Sequence, residues 1–281
     1  MASLQWESMP ALVTAGHDHS CCAVGGSVAV IGGFTLVGTE VTTTANVEVL
    51  PSREGAVFVT LPPLSCGGIW GVAAMAVEAS ERAAGQVLLL GGIDPSFDPL
   101  STVQLAELAT GVCAPLPHLL RSRIHPAAAR LLDSRVVCAG GWGGGGSSAE
   151  MWGPPGQGAQ NAAWTWTQLP DMSTARYKCS GCVMSDGRFA VLGGVASIDD
   201  PMSSCEALTI DDSTHWEPLP PMHDARSRFV CAAMAGCIIV AGGADCQSAE
   251  VFDEVLGRWL RLPHDLPRIG QLGQRVSGAL L

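Results

Sequence analysis

The chain of 281 residues is 47% apolar and 15% charged, with a mean hydropathy of +0.29, which excludes a disordered chain and leaves ample material for a core. Its 26 acidic against 15 basic residues give a formal charge of −11, which excludes a general affinity for nucleic acid phosphates. The start lacks a basic and then apolar leader, and no turn-free apolar stretch reaches the roughly eighteen residues of a membrane span, so the reading is intracellular, cytoplasmic or nuclear, without membrane contact.

In chain order the first element is a lone strand over 4–9, with Trp6, ending at Met9-Pro10. Five four-stranded sets, strands a to d, follow at about 17–63, 69–117, 124–170, 179–220 and 228–263, and 275–281 reads as one more a strand. Three markers in phase define the sets. Strand b is an apolar run closed by a glycine pair, in GSVAVIGG, GQVLLLGG, SRVVCAGG, GRFAVLGG and GCIIVAGG, which end on Gly32-Gly33, Gly91-Gly92, Gly140-Gly141, Gly193-Gly194 and Gly242-Gly243. The first glycines are 59, 49, 53 and 49 residues apart. Strand c follows as NVEVL, TVQLA, SAEMW, SCEAL and SAEVF, with Glu48, Gln104, Glu150, Glu206 and Glu250 in one register. Strand d carries Phe58, Trp166, Trp216 or Trp259 and stops at Leu61-Pro62, Leu116-Pro117, Leu169-Pro170, Leu219-Pro220 and Leu262-Pro263. Asp186-Gly187 marks a hairpin between strands a and b of the fourth set, and polar insertions fall at 78–85 and 153–163.

A glycine pair, a strand with Glu, and Trp shortly before Leu-Pro, repeated at about 50 residues, resemble the kelch repeat over nearly the whole chain. The family's usual tyrosine after the glutamate is replaced by Leu50, Ala106, Trp152, Leu208 and Phe252. The resemblance implies an all-β fold, a single kelch-type β-propeller of five complete blades with an incomplete sixth, its pieces the N-terminal d strand and the C-terminal a strand. One blade cannot bury both faces alone, so blades stack around an axis.

The resemblance also implies that the d-to-a and b-to-c loops share a face that binds a partner. Arg121, Arg123, Arg176, Lys178, Arg226 and Arg228 fall on three d-to-a loops, opposite b-to-c loops with Phe34, Phe97, Trp142, Asp94, Asp98, Asp199, Asp200 and Asp245. These arginines and Lys178, with Trp142 and Phe97, are candidates for clamping a protein or peptide rich in carboxylates, since a guanidinium binds a carboxylate through two parallel hydrogen bonds. Arg123, Arg176 and Arg226 each lie seven residues after the Leu of a Leu-Pro, so they equally fit a bracing role repeated in every blade.

His17-Asp18-His19 is the most metal-like cluster, yet it lacks a third well-spaced ligand, and His17 shares its distance from the glycine pair with His125 and Lys178. Cys179 and Cys182 resemble a redox half-site, but Cys182, Cys21 and Cys231 share one offset, which reads as small core residues of strand a. The odd count of eleven cysteines fits reduced thiols. Gly141 to Gly146 matches a dinucleotide fingerprint in letters alone, because no helix follows. No metal and no cofactor is expected.

The leading reading is a non-enzymatic binding module, and the family link extends it to substrate recognition for a ubiquitin ligase. Tyr177 is the sole tyrosine, which counts against the paired-tyrosine copper oxidases and against sialidase-like chemistry. A kelch-fold enzyme that isomerises a sugar stays open as the alternative, with an Asp and Arg cluster in the central funnel as its signature, and so does a cytoskeletal scaffold.

Overall fold

A computed structural model describes residues 6–37, 40–77, 85–154, 163–197 and 200–267. The described residues form strands and connecting loops without a helix. The first blade contains β1 (Ser20–Val24) and β2 (Ser27–Ile31), then a projecting ribbon of β3 (Phe34–Val37) and β4 (Glu40–Thr43), then β5 (Val47–Leu50) and β6 (Val59–Leu61). The second is β7 (Trp70–Ala76), β8 (Gln86–Ile93), β9 (Val103–Glu107) and β10 (Val112–Leu116), and the third is β11 (Ala127–Arg130), β12 (Val136–Ala139), β13 (Ala149–Gly153) and β14 (Thr165–Leu169). The fourth is β15 (Ser180–Val183), β16 (Phe189–Leu192), β17 (Cys205–Thr209) and β18 (His215–Leu219), and the fifth is β19 (Val230–Met234), β20 (Cys237–Ala241), β21 (Ala249–Asp253) and β22 (Arg258–Arg261). Every blade is an antiparallel meander, as the three markers require.

The continuous apolar runs of strand b follow from burial on both faces. Successive side chains alternate: Val87 and Leu89 pack toward the first blade, whereas Leu88 and Leu90 pack toward the third. The same sorting sends Val137 and Phe189 into the third seam, and Leu192, Ile238 and Val240 into the fourth. Among the described residues the core is therefore four seams between blades and a fifth cluster of Val28, Val30 and Leu50 on the first blade, not one central mass.

The glycine pairs have a steric cause. Every glycine of the five pairs has positive φ. A Cβ on Gly32, Gly91, Gly140 or Gly193 would lie 2.3, 2.3, 2.4 or 2.6 Å from the carbonyl oxygen of Ile69, Arg123, Arg176 or Arg226 in the next blade. Only glycine gives both the φ and the close approach.

Innermost strands β1, β7, β11, β15 and β19 stand side by side in that order around the axis, while β19 and β1 do not adjoin as the others do. The expected N-terminal strand is corrected in part: residues 6–9 form no strand, although Trp6 takes a strand-d position. Its Nε1 donates to the His264 carbonyl at 2.8 Å, just as Trp166, Trp216 and Trp259 donate to Pro117, Pro170 and Pro220 of the preceding blade. Residues 4–5, the expected strand over 275–281, Asp199, and most of both insertions lie outside the described residues.

Candidate functional site

The d-to-a loops and glycine-pair loops meet at one end of the ring, and the sequence candidates divide there into three groups. The first is internal. Arg123, Arg176 and Arg226 are at most 1% exposed, which corrects the expectation that they touch a partner. Arg176 Nη2 donates to Glu206 Oε1 at 2.8 Å and to Ser204 Oγ at 3.2 Å, and Nη1 donates to the carbonyls of Gly193 and Ser204. Arg123 makes the same clasp with Glu150, Gly140 and Ser148, and Arg226 with Glu250, Gly242 and Ser248. The second oxygen of each carboxylate accepts a loop N–H, from Leu120, Ser173 or His223. Burial alone would raise the Glu250 carboxyl, but Arg226 and the donors from His223 and Asp224 hold it below its ordinary value.

The second group forms an outer rim. Arg121 is exposed. Phe97 is 52% exposed and Trp142 55%. Phe97 has φ of +66°, in a turn where Asp94 Oδ1 accepts the N–H groups of Ser96 and Asp98. Trp142 exchanges two backbone hydrogen bonds with Ile124. Inside the rim runs an aromatic chain, His17 on Phe34 at 5.5 Å, Phe34 on Trp70 at 5.3 Å, and Trp70 on both Phe97 and His125.

The third group is the funnel mouth on the axis. Lys178 and Arg228 line a cavity of about 210 Å³ together with Asp18, His19 and His125. Asp18, His125, Lys178 and Arg228 all have left-handed φ, between 50° and 56°, and Gly71 takes the same place in the second blade. The cause is a relay of backbone bonds between blades: His125 N–H donates to Gly71 O, Lys178 N–H to His125 O, and Arg228 N–H to Lys178 O. Arg228 Nη1 lies 2.5 Å from Asp18 Oδ1, a contact between the fifth and first blades, and His125 Nε2 lies 4.0 Å from the other oxygen of Asp18.

Counting back from the glycine pairs groups His17 with His125 and Lys178, whereas the structure aligns Asp18 with them. The first and fifth blades turn from strand a to b through two residues, Gly25-Gly26 and Ala235-Gly236, whereas the third and fourth use three. The shorter hairpin moves the count by one. The signal was present in the hairpin lengths.

The cysteine reading agrees with the packing. Cys182 is buried in the fourth seam with Cys231 against it. Burial pushes the Cys179 thiol up to about 11 and Cys21 to about 12, so both are protonated thiols at neutral pH. At the opposite end of the ring, Leu132, Met234, Val255 and Leu256 are exposed on the hairpin tips.

No family model matches the chain. An F-box/kelch-repeat protein of Arabidopsis thaliana is 36% identical over 89 residues, which is 30% of this chain and 23% of that protein. The chain thus matches about a quarter of the length of that relative. The solved structure of YjhT superposes with a TM-score of 0.70 at 10% identity, over 92% of this chain and 86% of that one. That likeness is one of fold.

Proposed function

We propose that this chain, a kelch-type β-propeller, is a binding module that takes a partner protein or peptide on the rim formed by its d-to-a and b-to-c loops. One observation carries the reading. Phe97 is an aromatic residue with no local side-chain reason to adopt left-handed φ, yet it is held there and half exposed, as Trp142 is half exposed on the b-to-c loop of the third blade. Such aromatic anchors on a rigid loop scaffold suit recognition, and interface energy concentrates in a few of them. The finer reading, substrate recognition for a ubiquitin ligase inside the cell, draws on the F-box in the name of the relative and on the eleven free thiols. Co-purification of ligase subunits tests it.

The test of the rim uses affinity purification with three forms: wild type, Phe97→Ser with Trp142→Ser, and Val255→Ser with Leu256→Ser at the opposite end. Loss of a defined partner in the rim variant and its retention in the other supports the reading. Retention in the rim variant, or loss in the opposite one alone, overturns it.

A second reading, an enzyme acting on a sugar, has the Asp18–Arg228 pair beside His125 on its side. Incubation with a panel of aldoses and their ketose isomers, read by NMR, decides it.

A further inference from the structure

Three of the four seams are tied at the outer edge by an indole. Trp166, Trp216 and Trp259 stand three residues before the Leu of Leu-Pro in strand d. Each donates its Nε1–H to a carbonyl of the preceding blade, Pro117, Pro170 or Pro220, at 2.9, 2.8 and 2.8 Å. The second blade has Cys113 at this position, paired across to Ala106 as the three tryptophans pair with Trp152, Leu208 and Phe252. A cysteine has no indole N–H to give. Facing it instead is a second thiol: Cys66, on the loop that leaves the first blade, has its Sγ 3.4 Å from the Sγ of Cys113.

The backbone builds this approach. Ser65 N–H donates to the Gly111 carbonyl at 2.8 Å, and Cys113 N–H donates to Ser65 Oγ at 2.9 Å, so the residue before Cys66 is bound twice to the hairpin that carries Cys113. Gly111 has positive φ, and a Cβ there would lie 2.1 Å from the Pro63 carbonyl oxygen, so the loop and the hairpin come as close as glycine allows. Cys66 and Cys113 pack against the apolar seam but are only half-buried, whereas Cys182 is buried in the seam between the fourth and fifth blades. A reagent from water reaches the first pair. The same seam also lacks the arginine clasp, since Ile69 and Gln104 hold the places of Arg123 and Glu150.

We infer that Cys66 and Cys113 are a redox modification site, whose disulfide ties the second blade to the first where an indole ties the later blades. A disulfide holds its sulfurs about 2.05 Å apart, so each sulfur has to move by about 0.7 Å. The pair gives two electrons and two protons to a low-molecular-weight disulfide. One thiolate attacks that disulfide and releases a small thiol, and the second thiolate then attacks the mixed disulfide and releases the other. Burial and the hydrogen bond with Cys113 push the Cys66 thiol up to about 12, so exchange is slow at neutral pH and quickens as pH rises. The site goes beyond the rim reading and needs no partner.

The test incubates the whole chain at about pH 8.5 in glutathione buffers of graded oxidised share, traps free thiols with iodoacetamide and maps the products by peptide mass spectrometry. The proposal expects a Cys66–Cys113 linkage that dithiothreitol reverses. Because the bond joins residues 47 apart, it should raise the melting temperature by about 5 °C or more. Cys113→Ser should abolish both the linkage and the rise, and Cys66→Ser serves if that variant does not fold. Both thiols still free in fully oxidised buffer, glutathione adducts in place of the linkage, or a linked protein that melts no higher than the reduced one overturns the proposal. Each readout uses this chain alone, so failure here is distinct from failure of the rim to hold a partner.

Discussion

Blades three to five and blades one to two solve the same loop problem differently. In the former, a buried arginine ties the d-to-a loop to the glutamate, the serine two residues before it, and the first glycine of the pair. In the latter the arginine position holds Gly16 or Ile69, as the backbone shows: Gly33 N–H donates to Ile69 O where Gly92 donates to Arg123 O. Among the described residues Glu48 then accepts loop N–H groups from Val13 and Thr14, and the second blade has Gln104 in place of the acid. The loops of this half are spanned instead by the aromatic chain from His17 to Phe97. The backbone relay and glycine pairs suffice to close a blade, and the ionic clasp is an addition that requires both partners together. Arginine without the acid would leave a buried charge, and each blade that holds the arginine also holds the glutamate, whereas the first blade keeps Glu48 without the arginine.

The comparison breaks first at the clasp. Glu206→Ala leaves Arg176 buried without its carboxylate and should cost about 3–5 kcal/mol in a urea melt. A loss below about 1 kcal/mol would mean that the clasp adds nothing to the loops. Protons attack the same feature. Because the Glu250 carboxyl is held below its ordinary value of 4.5, its contribution is complete above that value and is lost as pH falls through the lower folded value. Acid melts should therefore show Glu250→Gln converging on wild type at low pH, whereas curves that stay parallel contradict the assignment.

Transplanting the clasp sharpens the contrast. Ile69→Arg and Gln104→Glu should each destabilise alone, and the double variant should recover a coupling of about 0.5–3 kcal/mol in a thermodynamic cycle. Strict additivity would show that the second blade lacks room for the pair. The smallest effect belongs to Glu48→Gln, about 1 kcal/mol, because the amide oxygen still accepts one loop N–H. A loss equal to that of Glu206→Ala would erase the distinction between the halves.

The blades were legible because each marker answers a steric or burial demand repeated five times: glycine at the close approach, an apolar run buried on both faces, and Leu-Pro at the outer edge. The role of Arg123, Arg176 and Arg226 was not, since equal spacing is what both a brace and a row of loop contacts would show. The serines at 148, 204 and 248 held the missing information, because the hydroxyl two residues before each glutamate accepts from the guanidinium in all three blades. The funnel mouth escaped for a different reason. A single residue of difference in hairpin length shifted Asp18 out of the count, and a left-handed φ at Lys178 leaves no mark in composition.

Trp6 adds a matter of timing. The other indole N–H bonds between blades join residues 39 to 49 positions apart, but Trp6 reaches across 258 positions to His264. On the ribosome, each seam can close as soon as its second blade emerges. The contact at Trp6 must wait until His264 has been made, so it closes after the seams between successive blades.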